Sequence, residues 1–242
     1  RSNLSLHDLI KLKNELLGIA SHDLRNPLTS IQGYSGFLLK KGSLLNEDTR
    51  TDFLKIINST SGSILELLND LLSFSAIESG QLVLNLKPGN LHILMEERIK
   101  IYTHLAMEKN INFDIKYQNL KLILFDTPRI GQVIDNLLTN AIKFSPIGGT
   151  IQIIVESVSE HLRVTITDQG SSIRSEDLDD LFKPFKKLDS GSTENKKGTG
   201  LGLAIAKKMI ELHNGTLTFR PSKSQGASFC FELPVTPLTL QS

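Results

Sequence analysis

Residues 53 to 74 carry a repeat that constrains the fold more than any other feature of the sequence. Successive members are four and three residues apart, and all but the threonine are apolar: Phe53, Ile57, Thr60, Ile64, Leu67, Leu71 and Phe74. A stripe with this period indicates a helix that packs along its length against other helices. We therefore predict one long helix from about residue 46 to residue 79.

A second apolar stripe predicts a partner helix over residues 4 to 40. Its spacing begins as 3-4-3 and then shifts by one residue, along Leu9, Leu12, Leu16, Ile19, Leu24, Leu28, Ile31 and Leu38. Gly42, Ser43 and Asn46 mark the connecting loop. A lone helical hairpin would leave much of both stripes in water, so we expect two copies to form a homodimeric four-helix bundle. The alternative is packing of the stripes against the rest of the chain.

From Gly80 onward the helical pattern gives way to a mixed one. Longer helices are predicted over 91–108, 128–144 and 200–213, with a short one over 175–182. Strands are predicted over 82–86, 111–116, 120–125, 150–157, 161–167, 215–220 and 226–233. Strands grouped in hairpins beside a few helices indicate the α+β class with a mixed sheet. We expect two domains, residues 1–80 and residues 81–242.

Composition excludes several classes of function. The 242 residues hold 27 Lys and Arg against 26 Asp and Glu, a net charge of +1, which argues against a nucleic-acid partner bound by bulk charge. The single cysteine, Cys230, excludes an internal disulfide and a cysteine-based zinc site. No apolar run approaches the ~20 residues that span a bilayer. We expect a cytoplasmic fragment without membrane contact of its own, from a longer protein whose missing N-terminal part could hold an anchor.

His22 lies on the first predicted helix, opposite its apolar stripe, and therefore faces solvent. Asp23 is adjacent, Asn26 is one turn further on the same face, and Pro27 interrupts the helical hydrogen bonds beside them. A neutral imidazole is a competent nucleophile near neutral pH, and a neighbouring carboxylate can orient it and accept a proton. The alternative is a surface histidine without function.

Two polar patterns of the second half suit phosphate chemistry. Asn136, Asn140 and Lys143 share one helix face, where amide oxygens suit a phosphate-bound Mg²⁺ and the lysine supplies a positive charge. Residues 198–203 (Gly-Thr-Gly-Leu-Gly-Leu) open the last helix, where closely spaced glycines expose backbone N–H groups to anions. An ordinary polar helix face is the alternative for the first pattern, and the glycine pattern alone is a weak signal.

Asp168 and Gly170 follow a predicted strand. An aspartate at a strand end can accept a hydrogen bond from an adenine amino group, and the glycine lets the backbone approach the base, although a D-x-G segment is more often a simple turn. Phe182 and Phe185 suit local core packing. The polar stretch 190–197 indicates a mobile loop.

These segments together resemble two-component sensor histidine kinases over about residues 6 to 234. Residues 21–28 (Ser-His-Asp-Leu-Arg-Asn-Pro-Leu) resemble the H-box of that family, 136–144 the N-box, 182–185 the F-box and 198–203 the second glycine box. Residues 168–170 resemble the first glycine box, usually D-x-G-x-G, except that Ser172 replaces its second glycine.

The resemblance implies a fold and an activity. The fold is a dimerisation and phosphoacceptor hairpin followed by an α/β sandwich that binds ATP and Mg²⁺. His22 would accept the γ-phosphoryl group of ATP, Asp23 would assist, and Asn26 would position water for dephosphorylating the partner. That partner is the receiver domain of a response regulator, which takes the phosphoryl group on an aspartate.

The resemblance also implies a nucleotide site. Lys187 would reach the γ-phosphate and Asn140 would ligate the metal. The implied ATP-binding residues are Asn136, Asn140, Lys143, Phe144, Asp168, Gly170, Lys187, Gly198, Thr199, Gly200, Leu201 and Gly202.

Two other functions remain open. Ser172 motivates a pseudokinase-like dimeric scaffold that binds ATP weakly or not at all. An ATPase that drives a conformational change would share the second domain but would not explain the segment around His22.

Overall fold

The computed structural model describes residues 6–186, 199–221 and 226–235. The chain divides into two compact units, Arg1–Ala76 and Ile77–Ser242. Among the described residues, no helix is both long and apolar enough to cross a membrane.

The first unit is built on two long helices. Helix α1 (Leu6–Lys41) continues through Pro27, a short 3-10 turn follows at Gly42–Leu44, and helix α2 spans Glu47–Glu78. Asn46 caps α2, because its Oδ1 accepts a hydrogen bond from the Thr49 backbone N–H at 2.8 Å. The predicted helical hairpin is confirmed.

Aromatic side chains join the two helices near the turn. The Phe53 ring of α2 lies 5.0 Å from the Tyr34 ring and 5.7 Å from the Phe37 ring, between centroids. At these separations tilted and edge-on ring pairs are favourable. The predicted heptad of α2 therefore faces α1 at this end of the hairpin.

A second apolar row of α2 remains exposed. Its four leucines have between 44% and 61% of their surface accessible: Leu54, Leu65, Leu68 and Leu72. Together with Ser61 they repeat at steps of seven, four, three and four residues, which places them on one side of the helix. This row is distinct from the heptad that begins at Phe53, and the heptad pattern alone does not distinguish the two.

The second unit is an α/β sandwich around a five-stranded mixed sheet. Its strand order is β2-β4-β5-β7-β6, with β2 and β4 parallel and all other neighbours antiparallel. The bounds are β2 Asn112–Gln118, β4 Thr150–Val158, β5 His161–Thr167, β6 Thr216–Pro221 and β7 Ala227–Pro234. A separate antiparallel pair joins β1 (Lys87–Gly89) to β3 (Ile123–Phe125).

Three helices cover one face of the five-stranded sheet: α3 (Leu91–Glu108), α4 (Thr127–Phe144) and α5 (Gly202–Leu212). Alternate side chains of the central strands are fully buried beneath them, among them Ile151, Ile153, Val155, Leu162, Val164 and Ile166. This period of two is what a sheet with one covered face requires. The expected α+β class with a mixed sheet is confirmed.

Two predicted elements differ from the structure. The strand predicted over 82–86 is wrong: the backbone N–H of Asn85 donates to the Asp126 side chain at 2.8 Å, and strand pairing begins only at Lys87. The short α-helix predicted over 175–182 is a 3-10 helix, Ser175–Asp180. In both places the backbone conformation is set by side-chain hydrogen bonds or local turns, and a hydropathy pattern does not detect these.

Candidate functional site

Helix α4 presents a polar face and an apolar face. Asp126 caps its N-terminus by accepting from the Arg129 N–H at 3.2 Å, and Pro128 occupies the first turn. The apolar face is buried and includes Ile130, Ile134, Leu137, Leu138, Ala141 and Ile142. The predicted site residues of this helix are half-buried and lie towards the other face: Asn136, Asn140, Lys143 and Phe144.

The polar face of α4 contacts the start of α5. The Asn136 Nδ2 group donates to the Gly202 carbonyl oxygen at 3.0 Å, so this side chain ties the two helices together. Two turns further along α4, the Lys143 ammonium group lies 4.7 Å from the centroid of the Phe144 ring. That distance is within the range of a cation–π contact.

Asp168 is buried at the end of β5, with 3% of its surface exposed. Its Oδ1 atom accepts from the backbone N–H of Gly170 at 2.8 Å and of Ala227 at 3.1 Å. Burial raises the pKa of this carboxyl, and the two N–H donors partly oppose the rise. Both bonds converge on one oxygen, so Oδ2 is left for a further donor.

Two glycines allow the backbone to close around Asp168. A Cβ atom on Gly170 would overlap the Phe144 carbonyl oxygen at the end of α4, and one on Gly226 would overlap the Asp168 carbonyl oxygen. Gly226 also has φ +107°, which side-chain-bearing residues rarely adopt. The loop after β5 therefore touches α4 on one side and the start of β7 on the other.

A further backbone contact joins the Phe185 segment to the start of α5. The Phe185 N–H donates to the Gly200 carbonyl oxygen at 2.9 Å, and both residues have positive φ, +61° and +72°. A Cβ atom on Gly200 would lie 2.9 Å from the Phe185 backbone. The Thr199 hydroxyl accepts from the Leu201 N–H at 3.1 Å and shapes the turn into α5.

The second unit therefore brings together most of the nucleotide-site residues predicted from the sequence. Contacts link Asn136 to Gly202, Phe144 to Gly170, and Phe185 to Gly200. Lys187, Gly198 and the predicted loop 190–197 lie outside the described residues.

The predicted phosphoacceptor residues lie on α1, in the other unit. Asp23 is half-buried and Asn26 is exposed. His22 occupies a helical position, but its side chain is outside the described part of the chain.

Sequence reasoning missed two contributors to this site. Ala227 supplies a backbone donor to Asp168, and Lys109 supplies three bonds to the end of α4. Gly226, directly before β7, was the available sequence signal for the Ala227 donor. The bonds of Lys109 have no local sequence signal, because Lys109 is more than thirty residues from its acceptors.

The side chains of the predicted nucleotide site would suit a metal ion that is already bound to phosphate oxygens. No group of three or more His, Cys, Asp or Glu side chains within residues 6–186, 199–221 and 226–235 is arranged to hold a metal ion. The half-buried Asn140 amide is a hard oxygen ligand of the kind that completes the shell of a phosphate-bound Mg²⁺.

Comparisons with known proteins agree with these observations. Residues 12–80 match the model of the His Kinase A (phospho-acceptor) domain, and residues 125–237 match that of the histidine kinase-, DNA gyrase B-, and HSP90-like ATPases. The non-motile and phage-resistance protein of Caulobacter vibrioides is 34% identical over 93% of this chain and 27% of its own length. The chain spans between 15% and 27% of the length of the first three curated relatives.

Two solved structures are similar over most of the chain. Histidine kinase ThkA in complex with the response regulator protein TrrA has a TM-score of 0.75 and 28% identity, covering 96% of this chain and 64% of the other. Histidine kinase AdeS of Acinetobacter baumannii has a TM-score of 0.70 and 27% identity, covering 89% of this chain and 98% of the other.

Proposed function

The chain belongs to the two-component sensor histidine kinases, and from that premise we propose that it is the ATP-dependent autokinase core of a longer signalling protein. Residues 1–80 are the dimerisation and phosphoacceptor domain, and residues 81–242 are the catalytic domain. The match to the ATPase domain implies ATP binding by the second of these.

The Asp168 arrangement carries the nucleotide part of the proposal. The Oδ2 atom of the buried Asp168 side chain is an acceptor for the adenine amino group, and Gly170 lets the base approach the backbone. Guanine carries a carbonyl oxygen where adenine carries the amino group, so it would place an acceptor against an acceptor. Titration of the chain with ATP and with GTP tests this step. We expect ATP to bind at least about tenfold tighter, equivalent to 1.4 kcal/mol, and equal binding contradicts it.

The phosphate end of the nucleotide lies along the polar face of α4 and the start of α5 in this proposal. Lys143 supplies positive charge, Asn136 holds Gly202 in place, and the glycine-rich turn into α5 offers backbone N–H groups to the phosphates. Lys187 reaches the γ-phosphate. Asn140 would hold Mg²⁺, which would neutralise charge on the phosphate oxygens.

His22 is the phosphoacceptor. A lone pair on one of its ring nitrogens attacks the γ-phosphorus, the bond from that phosphorus to the bridging oxygen breaks, and ADP leaves with the electron pair. The proton on the other ring nitrogen passes to Asp23 or to water. Asn26 orients water for a separate reaction, the hydrolysis of the phosphorylated response regulator.

The proposed partners are a second copy of the chain and a response regulator. The exposed row of Leu54, Leu65, Leu68 and Leu72 supports the homodimer, because a helix surface with this many accessible leucines is stabilised by a second apolar surface. The receiver domain of the response regulator takes the phosphoryl group from His22 on an aspartate.

The scaffold alternative rests on Ser172, which the structure describes as exposed. An exposed side chain does not fill a nucleotide site, so this position does not favour loss of ATP binding. We therefore retain the kinase as the proposed function.

A further inference from the structure

We propose that Lys109 is a positioning residue of the nucleotide site, because it fixes the end of the helix that carries Asn140, Lys143 and Phe144. The inference rests on the proposed function of that site. Lys109 lies at the C-terminus of α3, outside every segment that resembles a motif of the family.

The ammonium group of Lys109 caps the C-terminus of α4. Its Nζ atom donates to the carbonyl oxygens of Ile142 at 2.8 Å, Lys143 at 2.9 Å and Ser145 at 2.9 Å. An ammonium group has three N–H donors, so these bonds use all of them. The last carbonyls of an α-helix have no partner within the helix and carry partial negative charge. Lys109 thus supplies both the missing donors and a compensating positive charge.

The backbone around Lys109 keeps the side chain aimed at α4. Helix α3 ends in a turn in which Asn110 has φ +51° and the Ile111 N–H donates to the Ala106 carbonyl oxygen at 2.9 Å. The Lys109 carbonyl oxygen in turn accepts from the Gly148 N–H at 2.9 Å. The residue therefore contacts the segment after α4 with its backbone and the end of α4 with its side chain.

The capped end of α4 borders the Asp168 loop directly. The Phe144 carbonyl oxygen belongs to the same helix end and lies so close to Gly170 that a Cβ atom there would overlap it. Gly170 in turn donates to Asp168 at 2.8 Å. A shift of the carbonyls that Lys109 holds would therefore displace the loop that carries the proposed adenine acceptor.

Lys109, rather than a lysine of α4 itself, bonds the terminal carbonyls of α4. A lysine in the last helical turn commonly bonds the terminal carbonyls of its own helix. Here those carbonyls take their donors from Lys109, and the Lys143 ammonium group lies over the Phe144 ring instead. The donors for the Ile142 and Lys143 carbonyl oxygens therefore come from Lys109.

The test compares ATP affinity and thermal stability in Lys109→Met, which keeps the aliphatic stem and removes the charge. We expect the dissociation constant for ATP to rise about tenfold or more. Lys100→Met, an exposed lysine on the same helix, is the matched control and should bind ATP like the unmodified chain. Lys109→Gln takes the place of Lys109→Met if that variant does not fold.

A second control separates positioning from general destabilisation. Arg163 pairs with Glu232 at 2.7 Å on the uncovered face of the sheet, so Arg163→Met removes an ion pair remote from the proposed site. Compared at temperatures equally far below their melting points, Arg163→Met should keep its ATP affinity and Lys109→Met should not. Equal affinity in the two variants would overturn the proposal.

Chemical rescue gives a readout that a purely structural role would not move. Lys109→Cys, made with Cys230→Ala so that only one thiol reacts, is treated with bromoethylamine to rebuild an ammonium group of nearly the same reach. ATP affinity should return to within about threefold of the parent protein, and no recovery in a folded, fully modified protein contradicts the assignment. If the unmodified chain itself does not bind ATP, the proposed function fails before this inference is reached.

Discussion

Asp168 and Ala227 are joined by a reciprocal pair of hydrogen bonds. The Asp168 N–H donates to the Ala227 carbonyl oxygen at 2.9 Å, and the Ala227 N–H donates to the Asp168 Oδ1 at 3.1 Å. The first bond continues the pairing of β5 with β7 beyond their last registered residues, Thr167 and Ser228. The second turns the same strand end into a support for a buried carboxylate. The sheet therefore fixes the orientation of the proposed adenine acceptor.

Asp168→Asn tests that acceptor. The variant keeps an oxygen for the N–H groups of Gly170 and Ala227 but can place an amino group where Oδ2 stood, so the fold should survive. Loss of a hydrogen bond to a charged group predicts about 10- to 100-fold weaker ATP binding by calorimetry. Asp135→Asn is the control: it removes a half-buried carboxylate of α4 that pairs with Arg98 of α3, and the variant should bind ATP normally.

The raised pKa of Asp168 gives this prediction a pH dependence. As pH falls through that pKa, the carboxylate gains a proton and loses its role as acceptor, so ATP affinity should fall. The free energy of unfolding should change in the opposite direction and increase as pH falls through the same range. A folded-state pKa above the unfolded one contributes stability that is present at low pH and is lost as pH rises through the folded pKa. An ATP affinity unchanged by acidification through this range would contradict the role of the carboxylate.

The exposed leucine row predicts which face of α2 forms the dimer. Leu65→Glu with Leu72→Glu should convert the chain to a monomer in light scattering while its helical circular dichroism is retained, because both side chains are 61% exposed. Ser59→Glu, about 120° around the helix from Leu65, should remain dimeric. Dimers that persist in the double variant would place the interface elsewhere.

The heptad of α2, taken without the structure, selects different residues for that experiment. Its most regular members include Ile64 and Leu71. The structure describes both as half-buried, in the stripe that includes Phe53. A period of 3.5 residues identifies a buried stripe but does not say whether the covering helix comes from the same chain or another. Glu at these positions would therefore also weaken the hairpin itself.

The remaining differences have similar physical causes. Helix positions and the sheet class follow from local patterns and were predictable from them, whereas the clustering of Asn136, Phe144, Asp168 and Gly170 was expected only from the resemblance to the family. The missed strand at Lys87–Gly89 pairs with residues 34 to 38 positions away, and Lys109 bonds acceptors 33 to 36 positions away. Local propensity does not register contacts at that distance in the chain.

Ser172→Gly tests the scaffold alternative. The serine side chain is exposed, so its removal should leave the ATP dissociation constant within about threefold of the parent value. The measurement is the same calorimetric titration. A tenfold or greater gain on restoring glycine, from a parent chain that binds ATP barely or not at all, would favour the scaffold.

Asn140→Asp tests the metal and phosphate end of the site. The substitution keeps the shape of the side chain but adds negative charge beside the phosphates, so autophosphorylation should fall at least about tenfold, 1.4 kcal/mol in the barrier. Asn112→Asp, a matching change at an exposed position of β2, should leave autophosphorylation unchanged. Normal labelling of Asn140→Asp at limiting Mg²⁺ would remove this residue from the metal site.

The most direct measurement of the central claim is incubation of the chain with ATP labelled at the γ-phosphate. The account predicts an acid-labile, alkali-stable label on the intact chain and none on His22→Gln, whose ATP affinity should match that of the parent because the substitution lies outside the catalytic domain. Labelling of His22→Gln at the parent level would contradict the account, since the phosphoacceptor would then be another residue.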